Sequence, residues 1–160
     1  MNRTFKLVLA GSLLASALGH AFAADTAPSA SAAPDKLAKA RTQIAAKDWQ
    51  GAIDALKQVN DTRSADWNNL MGYSLRKSKT PDLAASERFY DEALRIDPKH
   101  RGTLEYSGEL YLMKGDLPMA EKRLAALDKV CTFSCSEYTD LKKAIERFKS
   151  NGNKNASSDY

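Results

Sequence analysis

The sequence predicts an all-α protein made of three helix pairs and one closing helix. Its content of 43% hydrophobic and 28% charged residues is typical of a folded chain rather than a disordered one. Segments that begin at Asp48, Asp82 and Asp116 recur every 34 residues. Counted from the residue after each Asp, apolar or small residues occupy offsets of 0, 3, 7 and 10. This spacing places them on one face of an α-helix.

The first residues have the three parts of a secretory signal peptide. Arg3 and Lys6 precede an apolar stretch at 7–18, and Ala21 and Ala23 occupy the small-residue positions before a cleavage site. The apolar stretch is shorter than the roughly 20 residues that span a bilayer, so no membrane span is expected. We therefore expect residues 1–23 to be removed and the mature protein to be soluble and periplasmic.

Two flanking segments are expected to surround the folded part. Residues 24–34 read ADTAPSASAAP, which is typical of a flexible linker, and residues 150–160 read as a disordered polar tail. Removing Arg3 and Lys6 from the 24 basic residues leaves 22 against 20 acidic residues. This near balance does not indicate a nucleic-acid-binding protein, which usually has a concentrated basic surface.

Each repeated Asp is expected to begin a helix, because its carboxylate can accept hydrogen bonds from unpaired N–H groups of the first turn. A partner helix precedes each one, which gives units at about 34–64, 65–98 and 99–131 and a closing helix at 135–149, with Leu124 buried in the third unit. Apolar stripes define the partner and closing helices: Leu37, Ala40 and Ile44; Trp67, Leu70, Met71 and Leu75; Leu104, Gly108, Tyr111 and Leu112; and Tyr138, Leu141, Ile145 and Phe148.

Two local features refine this reading of the elements. Gly72 and Gly108 occupy equivalent positions but are 36 residues apart, so the turn around Lys79-Thr80-Pro81 should contain two extra residues. Ser134 and Glu137 have the spacing of a capping box, which predicts the start of the closing helix.

The repeat resembles a known helical family. The second unit reads WNNLMGY at 67–73, followed by Ser86, Tyr90, Ala93 and Asp97-Pro98; the third unit has Gly108, Tyr111, Gly115-Asp116, Ala120 and Leu124. These residues are similar to a tetratricopeptide repeat, over about residues 34–127, although Ser86 stands where the family usually has Ala. The resemblance implies a right-handed α-solenoid over 35–149, whose concave groove receives a peptide or partner helix.

The candidate partner-binding residues lie on the first helices of units two and three, opposite the apolar stripes. They are Asn69, Tyr73, Arg76, Glu105, Tyr106, Glu109 and Met113. Aromatic, charged and amide side chains suit peptide recognition, and we expect Tyr73 and Arg76 to be exposed. The set lacks the Lys/Arg/Asn clamp with which some family members hold a terminal carboxylate. The sequence thus predicts a non-catalytic adaptor of the bacterial cell envelope, with a protein or peptide partner.

Groups that could support catalysis are few. His20 falls in the leader, and His100 follows Asp97-Pro98-Lys99, where a surface loop is expected. The sequence has no phosphate-binding Gly loop, no HEXXH motif and no GXSXG motif. We therefore predict no enzyme activity, no catalytic residues, no cofactor and no metal site.

Cys131 and Cys135 flank the sequence TFS between the third unit and the closing helix. In an oxidising compartment such a close pair favours a disulfide. The alternative is a thiol-redox or metal-handling protein, because Cys135 would lie near a helix N-terminus, where a thiolate is favoured. The spacing CXXXC differs from the redox CXXC motif, and no further ligand cluster is close in sequence.

Overall fold

The computed structural model describes residues 35–133 and 135–154, which contain seven α-helices and no β-strand. The helices are α1 (Ala38–Ala45), α2 (Trp49–Val59), α3 (Ala65–Lys77), α4 (Leu83–Ile96), α5 (Arg101–Met113), α6 (Leu117–Val130) and α7 (Ser136–Ser150). The predicted all-α class is thus confirmed for these residues. The predicted leader, the linker and residues 155–160 of the predicted tail lie outside them.

The even-numbered helices begin as the sequence predicts. The Oδ1 atoms of Asp48, Asp82 and Asp116 accept hydrogen bonds from backbone N–H groups three residues later, at 2.9, 2.8 and 3.1 Å. Each bond satisfies an N–H group that has no partner within its own helix. The connection between α3 and α4 spans 78–82, whereas that between α5 and α6 spans 114–116, so the predicted two-residue insertion is confirmed.

The order of contacts between helices follows the order of the chain. Each helix packs against the next one, and the odd-numbered helices also pack in series, α1 with α3, α3 with α5 and α5 with α7. The even-numbered helices of the described part make no such contacts with one another. The odd-numbered helices therefore lie side by side, and each even-numbered helix packs against its two odd-numbered neighbours in sequence.

Two separate apolar clusters stabilise this arrangement. The first joins α1, α2 and α3 and comprises Leu37, Ala40, Ile53, Ala55, Leu56, Trp67, Leu70 and Met71. The second joins α5, α6 and α7 and comprises Leu104, Tyr111, Leu112, Ala120, Leu127, Leu141, Ala144, Ile145 and Phe148. Leu124, which the sequence predicted to be buried, is only partly buried at the edge of the second cluster. Leu127, one turn later on α6, is fully buried instead.

Two glycines allow close packing at matching positions of α3 and α5. A Cβ atom on Gly72 would lie 2.8 Å from Tyr90 Cε1, and one on Gly108 would lie 2.5 Å from Leu141 Cδ2. Real Cβ atoms do not approach other heavy atoms so closely, so both positions require the absence of a side chain. Tyr90 of α4 and Leu141 of α7 occupy the space that these glycines leave.

The start of α7 differs from the predicted capping box. The helix begins at Ser136, with Cys135 as its N-cap residue and no side-chain cap hydrogen bond. Glu137 is therefore the second residue of the helix, one position too early for a capping box, and Ser134 lies outside the described residues. Cys131, which ends α6, is joined to Cys135 with the two Sγ atoms 2.05 Å apart. None of the described helices has the length and apolar character needed to cross a membrane.

Candidate functional site

Side chains from α3 and α5 meet along a line that we call the α3–α5 seam, defined by Tyr73, Arg76, Tyr106, Glu109 and Met113. Arg76 lies at its centre. Its Nη2 atom donates to Glu109 Oε2 at 2.6 Å, and Nη1 lies 3.9 Å from Met113 Sδ. The structure thus brings five of the seven predicted binding residues together around one guanidinium group.

Aromatic rings cover this guanidinium group. The ring centroids of Tyr73 and Tyr106 are 4.5 Å apart, and Arg76 Cζ lies 5.5 and 5.8 Å from them, within the range of cation–π attraction. Trp49, at the start of α2, extends the row, because its ring centroid is 5.8 Å from that of Tyr73. Both Tyr side chains remain partly exposed. Trp49 was missed by the sequence analysis, which considered only the first helix of each pair.

Arg76 is not exposed as the sequence predicted. Only 1% of its surface is accessible, because α5 packs beside α3 and Glu109 and the two Tyr rings enclose its side chain. Burial alone would lower the pKa of the Arg76 guanidinium, but the Tyr90 hydroxyl and the Glu109 carboxylate oppose it and raise the pKa overall. Arg76 therefore stays charged and lies beneath the two rings, with almost no surface accessible to another molecule.

Asn69 is also buried, with 6% of its surface accessible, although the sequence placed it on the exposed face. It lies against the first turn of α5, since its Nδ2 atom is 3.5 Å from the position that a Cβ of Gly102 would occupy. The Oδ1 atom is enclosed and has no hydrogen-bond partner among residues 35–133 and 135–154. Asn69 thus places an unsatisfied acceptor on α3, close to the first turn of α5.

Glu105 lies beside the seam on α5 in an environment of like charge. Burial is the main reason that the pKa of its carboxyl rises to about 8, and Glu109, Asp140 and Glu137 raise it further. Burial and Glu105 likewise raise the pKa of Tyr106 to about 12. Glu137 and Asp140 belong to α7, so the predicted closing helix also contributes charge here. The sequence analysis placed neither residue at this site, because it assigned Glu137 to a capping box and considered only α3 and α5 as sources of binding residues.

His100 is a structural residue of α5 rather than a free loop side chain. Its Nδ1 atom accepts a hydrogen bond from Thr103 N at 3.1 Å, which makes it the N-cap of α5. The other ring nitrogen, Nε2, lies 2.9 Å from Asp66 Oδ1 on α3. This hydrogen bond is the main cause that lowers the pKa of Asp66. The predicted position in the connection between units is confirmed, because His100 is the last residue before α5. Its capping bond and its contact with Asp66 were not predicted.

The disulfide loop between α6 and α7 displays one large apolar side chain. Phe133 is 87% exposed, next to the joined Cys131 and Cys135. Across residues 35–133 and 135–154, no three His, Cys, Asp or Glu side chains are grouped as they would be around a metal ion.

The site has the chemistry of a recognition surface. Half-buried rings, carboxylates and an enclosed ion pair can hold a ligand in a fixed orientation. No protein-family model matches this chain, and no curated protein matches it either.

Proposed function

We propose that this protein is a non-catalytic adaptor of the bacterial cell envelope, built on tetratricopeptide-like repeats. The repeats would form a right-handed α-solenoid, and the partner segment would lie across the odd-numbered helices. The 34-residue spacing, the three Asp caps and the close-packing glycines support the repeat assignment. The leader pattern in residues 1–23 supports the location.

One observation carries the proposed binding role. Tyr73 and Tyr106 form a tilted, partly exposed ring pair with centroids 4.5 Å apart, which a buried Arg76–Glu109 ion pair supports from below. Residues fixed in this way lose little side-chain entropy when a partner binds, and large aromatic side chains contribute strongly to binding at interfaces. We therefore expect the pair to be the centre of the partner-binding surface.

Affinity capture from an envelope fraction tests this proposal. The bait is the full chain, and the variant carries Tyr73→Ala and Tyr106→Ala. Capture of the native partner should fall at least tenfold, which corresponds to about 1.4 kcal/mol. Phe133→Ala is the matched control, because it removes an exposed aromatic ring away from the seam. Loss of capture with Phe133→Ala and full capture with the Tyr variant would overturn the proposal.

A thiol-redox or metal-handling function is the alternative that the two cysteines suggest. If the disulfide is a structural link, Cys131→Ser with Cys135→Ser should lower the free energy of unfolding by about 2 kcal/mol, the loop-entropy value for so short a ring. Partner capture should persist in proportion to the folded fraction. Urea denaturation and capture with the same preparation measure both. Loss of capture in a fully folded thiol variant would favour the alternative.

A further inference from the structure

The charged groups beside the α3–α5 seam suggest what chemistry the partner has. Resting on the proposed adaptor function, we propose that the partner segment is basic, and that one of its Lys or Arg side chains binds at an acidic–aromatic surface. This surface is formed by Tyr73, Tyr106, Glu105, Glu137 and Asp140. The inference concerns the class of ligand, which the repeat pattern itself does not specify.

The first argument is the local sum of charges. Glu109 of α5 and Glu137 and Asp140 of α7 each act on the carboxyl group of Glu105. Cations also act on this group of carboxylates, and Lys77 is one that acts on Glu109. Arg76 is enclosed and held by Glu109, and Arg101 Nε lies 3.7 Å from Glu137 Oε1 at an exposed position. Asp140 has no ion pair within the described residues, and neither has Glu105 when it is ionised. A cation from a partner would therefore balance Asp140 and favour the ionised form of Glu105.

The second argument is the presence of the paired Tyr rings beside these carboxylates. Arg76 already interacts with Tyr73 and Tyr106 from within the protein, at 5.5 and 5.8 Å. Both rings remain partly exposed, and the electron-rich face of an aromatic ring attracts a cation. Carboxylates next to aromatic rings suit the charged head and the apolar stem of a Lys or Arg side chain together.

Asn69 supplies an independent indication of a ligand that donates hydrogen bonds. Asn69 is more than nine-tenths buried, and its Oδ1 atom has no hydrogen-bond partner within the described residues. An enclosed acceptor without a donor costs free energy, and a ligand N–H group that displaced the packing around it would recover that cost. Lys and Arg side chains offer only donors, so they match an acceptor and a set of carboxylates at once.

The raised pKa of Glu105 agrees with this proposal and gives it a measurable signature. A pKa of about 8 means that the Glu105 carboxyl is mainly protonated at neutral pH. A bound cation would favour the carboxylate and release a proton. Glu109, Glu137 and Asp140 disfavour the ionised form of Glu105, and Arg76 favours it. The Glu105 carboxylate forms as the pH rises through about 8, so affinity for a basic ligand should increase from pH 6 to pH 9.

Fluorescence anisotropy with synthetic peptides provides the test. The probes are rhodamine-labelled nonapeptides with three Gly-Ser-Arg repeats, or with Gln or Glu in place of Arg. The full chain should bind the Arg peptide at least tenfold more tightly than the Gln peptide, and the Glu peptide least. Affinity for the Arg peptide should rise severalfold between pH 6 and 9. Raising the salt concentration should weaken the binding, because exposed charges are screened.

Variants separate this inference from the adaptor function itself. At pH 9, Glu105→Gln should weaken Arg-peptide binding five- to tenfold and remove most of the pH dependence, whereas Asp128→Asn, an exposed acidic residue on α6, should change neither. Equal binding of the three peptides, or an unchanged Glu105→Gln variant, would overturn the inference. If no peptide binds while capture of the native partner still requires Tyr73 and Tyr106, the basic-segment inference fails and the adaptor function stands.

Discussion

Arg76 shows how one enclosed charge can organise a surface that it does not itself reach. Its guanidinium contacts Glu109 of α5 and underlies the rings of Tyr73 and Tyr106. Desolvating this charge is unfavourable, and the Glu109 carboxylate and the ring faces recover part of that cost. The residue therefore fixes how α3 and α5 lie next to each other and where the two rings point.

Replacing Arg76 should be strongly destabilising. We expect Arg76→Met to lower the free energy of unfolding by about 3–5 kcal/mol, because Glu109 would be left as an unpaired charge with little exposure. Urea denaturation followed by circular dichroism measures the change.

Arg95→Met is the matched control for this prediction. Arg95 pairs with Glu92 on the exposed surface of α4, where solvent screens the ion pair and its contribution to the free energy of unfolding is small. Similar losses in the two variants would show that the Arg76–Glu109 pair does not have the importance we assign to it.

Burial of Arg76 and Asn69 could not be predicted from the sequence. The helical periodicity identifies one apolar stripe on α3, which faces α2 and α4. The helix also packs against α5, and polar side chains form that contact. The apolar pattern does not reveal a polar contact, so Arg76 and Asn69 were assigned to the exposed face. Tyr73, Tyr106 and Glu105 are partly exposed, in agreement with that assignment.

At the scale of elements, Gly108 determines how closely α5 and α7 approach. We expect Gly108→Ala to destabilise the protein by about 1–3 kcal/mol, because the new Cβ would overlap the side chain of Leu141. The measurement is thermal unfolding of the full chain.

Gly102→Ala is a control on the same helix. A Cβ at Gly102 would meet Asn69 Nδ2 only at 3.5 Å, an ordinary contact. Because Ala favours helix formation over Gly, the control should be neutral or slightly stabilising. A Gly108→Ala variant as stable as the control would contradict the close packing of α5 on α7.

The sequence predicted the start of a helix correctly where the residues that fix that start lie within one helical turn of it. The Asp caps of α2, α4 and α6 were predictable, because a cap requires only the N–H groups of the next turn. The start of α7 was placed too early, since the chain leaves α6 through the Cys131–Cys135 link and becomes helical only after it. His100 was correctly placed in the connection before α5, but its role as the N-cap was not predicted.

At the scale of the whole molecule, α7 covers the second apolar cluster. Its residues Leu141, Ile145 and Phe148 are almost completely buried. Deleting the chain from Glu137 onward should uncover the apolar surface of α5 and α6, so we expect aggregation and binding of a hydrophobic dye. Light scattering after size exclusion measures this, with deletion of residues 155–160 as the control. A monomeric and equally stable truncated chain would show that α7 is dispensable.

The number and pairing of helices in the described part agree with the sequence periodicity. The division of the core into two apolar clusters, in contrast, could not be predicted from that periodicity. A repeat of 34 residues predicts equivalent units, which suggests one continuous core. Arg76, Glu109 and Tyr90 interrupt that continuity with polar groups at the junction of α3, α4 and α5. A single sequence does not reveal such an interruption, because every one of these residues also occurs on ordinary helix surfaces.

The separation of the two apolar clusters has a consequence for how the protein opens. Each cluster can act as its own cooperative unit, so hydrogen exchange should report two opening reactions with different protection, rather than one global event. A ligand bound at the α3–α5 seam contacts the helices of both units and would make opening either one less favourable. Partner binding would then slow the hydrogen exchange of backbone amides in both α1 and α7, although these helices lie away from the seam.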